Sequence, residues 1–123
     1  MAVDFVEVVI AANAAVSGPF PFNGRRVIGV VSPATWTAAD ISFEIEYPNG
    51  TFVKVVTVAG VLMILSGISA TVSEFHSVGG GSIGTQYIIT GHGAGRVVST
   101  NTASEADVNQ AAARTLLVLL ADI

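Results

Sequence analysis

His76 and His92 are the only imidazoles in the chain, so any base-activated serine would have to use one of them. His92 lies in the glycine turn Gly91-His-Gly-Ala-Gly95 and His76 at the end of a β-rich run, and neither belongs to a nucleophile-elbow pattern. A histidine in such a setting ordinarily faces solvent or bonds locally, so no hydrolase is expected and no catalytic residue is assigned. A metal site lacks its ligands as well. There is no cysteine, only Glu74 could join the two histidines, and no Asp-rich loop resembles a calcium site. Gly79-Gly-Gly-Ser-Ile-Gly84 has the composition of a phosphate-cradling loop without the lysine or the following helix N-terminus. Glu44 and Glu46 would project from one face of a strand about 7 Å apart. That separation loosely suits paired-carboxylate catalysis, and it also describes an ordinary solvated face. Asn49-Gly-Thr51 has the form of a glycosylation sequon, but a hairpin turn explains it sufficiently. No cofactor is expected.

The remaining candidates are contact residues. Trp36, the sole Trp, sits between Thr35 and Thr37 and is either an exposed anchor for a partner or a lid over the end of the core. Phe20 and Phe22, spaced by two around Pro21, share one face and would seal a sandwich edge or plug a neighbour's groove. With Arg25, these three aromatics form the candidate partner-binding set.

What must position them is read from the pattern. Ile41, Phe43, Ile45 and Tyr47 alternate with Ser42, Glu44 and Glu46, which puts an apolar row on one face of a strand and a wet row on the other. Pro48-Asn-Gly50 follows as a turn, and Thr51–Thr57 resumes a β-rich run, so the chain folds back as a hairpin. Val3–Ile10 reads as a first strand with Val3, Phe5, Val8 and Ile10 inward and a bulge where Val8 and Val9 follow one another. Residues 11–25 suit an extended arm or edge segment, because two prolines forbid a helix.

Arg26–Ser32, Val61–Leu65, Ile68–Phe75, Thr85–Thr90, Arg96–Ser99 and Arg114–Leu120 complete the strands, with Val61–Leu65 buried on both faces. Val78–Gly84 reads as a flexible loop. Gln110–Ala113 could form one helical turn and the Leu run could extend it, but strand is preferred because no helix is left for it to pair with. The fold class expected is all-β, a single domain over 1–123, built as an antiparallel sandwich of jelly-roll type with about eight short strands.

Composition restricts function further. Five Lys+Arg against nine Asp+Glu give a net charge of −4, which removes the electrostatic footprint of a direct nucleic-acid binder. Only 11% of residues are charged while 51% are hydrophobic, against roughly 25% charged in an ordinary domain. The uncharged run 55–73 has the length of a spanning helix, but Gly60, Ser66, Gly67, Ser69, Thr71 and Ser73 interrupt it. No membrane segment is therefore expected, and burial by partner subunits accounts for the composition. The absence of cysteine suits synthesis in a reducing cytoplasm, and Asp4 and Glu7 stand where a secretory signal would carry Lys or Arg.

Taken together, Val30-Val-Ser-Pro-Ala-Thr-Trp-Thr-Ala-Ala-Asp-Ile-Ser-Phe-Glu44, Pro48-Asn-Gly-Thr-Phe52 and Val108-Asn-Gln-Ala-Ala-Ala-Arg-Thr-Leu-Leu-Val118 resemble the small β-sandwich proteins of tailed-bacteriophage structural gene clusters. Those proteins include capsid cement and decoration subunits. The blocks cover roughly a third of the chain, and the stretch from Ala59 to His92 departs from them. The resemblance implies a virion subunit made in the host cytoplasm, bound to the outer capsid surface and bridging copies of the major capsid protein. It brings no catalytic residues. A carbohydrate- or host-surface-binding module and a neck or tail subunit are the alternatives. The low charge also leads to an expected homotrimer, with the surfaces 55–73 and 97–102 buried between protomers.

Overall fold

The computed structural model describes residues 3–57, 59–78 and 89–122. The loop and strand expected over 79–88 lie outside the described residues. Nine strands, all pairing antiparallel, form two sheets, and no helix occurs among the described residues. In the first sheet β1 (Val3–Ile10), β9 (Arg114–Asp122), β3 (Arg25–Val31) and β7 (Phe75–Ser77) lie side by side in that order. In the second the order is β2 (Phe20–Pro21), β8 (Ala94–Thr100), β4 (Asp40–Glu46) and β5 (Phe52–Lys54), with β6 (Ile64–Leu65) also on β4. No described helix is long and apolar enough to cross a membrane.

The inner faces meet in one core. β9 contributes Leu116, Val118 and Leu120, β3 Val27 and Val30, and β4 Ile41 and Phe43, all essentially inaccessible to solvent. The β4–β5 hairpin forms as its sequence demands. Gly50 takes φ 85° in the Pro-Asn-Gly turn, Tyr47 N–H donates to Thr51 O at 2.7 Å, and Asn49 Oδ1 accepts the Thr51 N–H at 3.0 Å.

Several expectations are corrected. In β1 the inward residues are Val6, Val8 and Ile10, whereas Val3 and Phe5 stand outside at 48% and 55% exposure. The β1–β9 register runs without a break, and the irregularity falls instead in β3 between Val27 and Gly29. Ser42, expected on a wet face, is buried and shares a 2.5 Å hydrogen bond with the Thr100 hydroxyl. Of Ile68–Phe75 only Phe75 is in a strand, and Val61 is exposed rather than buried on both faces. Of the two forms expected for 11–25, the edge segment is the one found and the reaching arm is not: Ser17 N–H donates to Val97 O at 2.8 Å, and β2 pairs with β8 at the edge of the second sheet. Val97 to Thr100, assigned to the trimer contact, lie in the middle of the chain's own second sheet with no exposed surface.

β5 and β6 are two halves of one interrupted partner strand. Lys54 stands opposite Glu44, Val55 N–H donates to Phe43 O at 3.0 Å, and Ile64 and Leu65 take up the ladder opposite Ser42 and Ile41. Between the halves the chain leaves the sheet as a small hairpin, closed by the Val56–Leu62 bridge and turned at Gly60 with φ 78°.

Candidate functional site

The predicted contact residues are structural. Phe20 and Phe22 are fully buried and pack edge to face, ring centroids 5.3 Å apart. They press on the β8 backbone so closely that a Cβ on Gly95 would lie 2.7 Å from each ring. Trp36 is 3% exposed, with its indole N–H donating to Ala39 O at 3.0 Å, so it is the lid over the core and not an anchor. Arg25 is occupied inside the chain: its guanidinium meets Asp4 at 3.1 Å and its Nε–H donates to Phe22 O at 3.4 Å. None of the three rings is offered to a partner.

The two outer sequence blocks, one around Trp36 and one around Gln110, touch each other. Gln110 is completely buried; its Oε1 accepts from Thr37 N–H (2.8 Å) and Arg114 Nε–H (3.2 Å), and its Nε2 donates to Thr37 O (3.0 Å) and Ser99 Oγ (2.8 Å). Thr37 Oγ1 accepts in turn from Ala111 N–H and Arg114. The pattern that carries the resemblance is thus a clasp between a loop and the entry to β9.

The titratable groups are dispersed. Glu44 pairs with Arg96 at 2.6 Å, and Arg96 lies 3.7 Å over the Phe52 ring. Glu46 accepts the Ala94 N–H at 3.1 Å, so both candidate carboxylates are engaged. His92 is exposed in its turn on the β8 side. His76, on β7, lines a cleft of about 660 Å³ with Ser77, Phe75, Met63, Thr102 and Glu105. Its nearest carboxylate is Glu74 at 3.8 Å, and its buried Nε2 has no hydrogen-bond partner among the described residues. No nucleophile–base contact forms there, and no group of three potential metal ligands exists among the described residues.

The feature that stands apart is the outer face of the first sheet. The register places Val3, Ala121 and Arg26 in one row, Phe5, Leu119, Gly29 and Ser77 in the next, and Glu7, Leu117, Val31 and Phe75 in a third. Val3, Phe5, Val9 and Phe75 are each about half exposed, and the Phe75 ring lies over Gly29 where any Cβ would collide with it. The outward row of the second sheet instead carries Glu44, Glu46, Arg96 and Lys54, the last paired with Asp107 at 3.1 Å. One signal for this face was present in the sequence. The run Leu116-Leu-Val-Leu-Leu120 is apolar on both parities, the pattern of a strand covered on both sides. No protein-family model, curated protein or solved structure matches the chain.

Proposed function

We propose that the chain is a non-catalytic structural subunit, a cement or decoration protein on the outside of a phage head that bridges capsid subunits. One observation carries this reading: the sandwich has one charged outer face and one apolar outer face, where β9 is apolar toward both sides and Val3, Phe5, Val9 and Phe75 stand half exposed around it. Such a face is expected to be covered in the working state. The strand order supports a jelly-roll form. With β6 counted as the far half of β5, β1-β9-β3-β7 opposes β2-β8-β4-β5, the winding of eight strands into two Greek keys. That architecture serves viral shells and lectins alike, and the sequence resemblance to virion proteins favours the shell.

Purified protein added to capsids that lack it should bind and raise their resistance to heat or osmotic shock. Absence of binding at micromolar concentration overturns the proposal. The 660 Å³ cleft with Phe75, His76 and Thr102 at its wall favours one second reading, a glycan- or host-surface-binding module. A glycan array decides that case. Labelled antibody on intact virions separates a head position from a neck or tail position.

A further inference from the structure

The outer face of the first sheet carries two charges, Glu7 and Arg26, and among the described residues neither has an ion-pair partner within its own chain. Their placement is regular. Glu7 stands on β1 opposite Leu117, Arg26 stands on β3 opposite Ala121, and β9 runs between those strands. Two strand spacings (about 9.6 Å) and four residues of rise (about 13.6 Å) separate the two charges. Leu119 lies at the midpoint of that diagonal.

We propose that a second copy of this chain covers the face, related by a two-fold axis lying between the two sheets and passing over Leu119. An axis perpendicular to the Glu7–Arg26 diagonal exchanges the two positions, so each copy's Glu7 meets the other copy's Arg26. Both charges are then paired by one symmetry operation, as an isologous contact requires. The same axis, followed two strands across and two residues along, reaches Phe75 on β7, so Leu119 and Phe75 each meet their own counterparts.

The size of the face agrees with this occupant. With strands of eight, nine, seven and three residues, the face spans on the order of 440 Å² per partner at about 3.4 by 4.8 Å per residue. Two such faces come to about 900 Å², close to the ~1,000 Å² at which specific interfaces begin, so a weak dimer of micromolar affinity is expected. The inference rests on the reading of this face as an assembly surface. It replaces a three-fold contact by a two-fold one and leaves the charged outer face and the 55–63 hairpin free to touch the particle.

Sedimentation of the purified chain tests it. The expected result is a monomer–dimer equilibrium with Kd in the micromolar range. Glu7→Arg and Arg26→Glu should each weaken it tenfold or more, and the double variant should return to within about threefold of the parent. Both side chains lie outside the core, and unchanged thermal melts of the variants verify that the fold is kept. Because the chain has no cysteine, Leu119→Cys supplies a single thiol that a short bismaleimide should join to its own counterpart, while Val72→Cys should give no crosslink. A monomer at about 100 µM, a trimer, failure of the double variant to restore association, or no crosslink through Leu119→Cys overturns the proposal. A monomer that still binds particles overturns only this inference. A dimer that binds none overturns only the particle role.

Discussion

Gln110 is a polar side chain with every hydrogen-bonding atom in use and no access to water. Truncation would strand the Thr37 peptide and the Ser99 hydroxyl, both held by partners distant in sequence. Gln110→Ala is therefore expected to lower unfolding free energy by about 2–4 kcal/mol, read from the urea midpoint, with Thr37→Ala following in the same direction. Gly95 is constrained differently. A methyl group there would meet the Phe20 and Phe22 rings at 2.7 Å, and two buried rings locked edge to face cannot both withdraw. Gly95→Ala should cost about 1–3 kcal/mol by overpacking, and a thermal melt shows it. Only Arg114 among the partners of Gln110 is near it in sequence, and the Ser99 and Thr37 groups that complete its burial lie 11 and 73 residues away. The same holds for Ser42, whose hydroxyl partner is 58 residues distant. Alternation could mark Ser42 as polar but could not show that a hydroxyl would arrive to meet it.

β1 shows where alternation stops being decisive. Its odd positions are Val3, Phe5, Glu7 and Val9 and its even positions Asp4, Val6, Val8 and Ile10, three apolar residues and one carboxylate on each side. Pairing with β9 selects the even set. Val8→Ala should thus cost about 1–2.5 kcal/mol, while Phe5→Ala, though it removes a larger side chain, should stay within about 0.5 kcal/mol for the isolated chain. Chemical denaturation of the two variants at a concentration below dimer formation checks the contrast. The β4–β5 hairpin and β9 were legible because their signals are local: strict alternation with a Pro-Asn-Gly turn in one, an unbroken apolar run in the other. β7 and the loop before it were not, since Ile68 to Ser73 alternates like a strand but finds no sheet edge to join. The interrupted strand makes a further expectation. Deleting residues 56–63 joins Val55 to Ile64 in register with Phe43 and Ser42, so the sandwich should survive with its circular dichroism intact. The cost should be about 2–4 kcal/mol, because buried Met63 is lost from the core.

Across the whole molecule, the two outer faces differ in chemistry. The Arg96–Glu44 and Lys54–Asp107 pairs lie on one, and Val3, Phe5, Val9 and Phe75 stand half exposed on the other. Only the first of these was foreseeable residue by residue. The low charge fraction indicated that much surface is uncharged, but which surface depends on the pairing of strands more than a hundred residues apart, as with Val3 and Ala121. β9 is bonded on both edges by β1 and β3, so its amides should exchange most slowly with deuterium, whereas those of the 56–62 hairpin and the loop 66–74 should exchange first. That central position has a consequence for biosynthesis. β1 and β3 emerge from the ribosome early and have no common partner until β9 has been translated. Closure of the first sheet therefore waits for β9, and until then the apolar faces of β1 and β3 are open to wrong contacts.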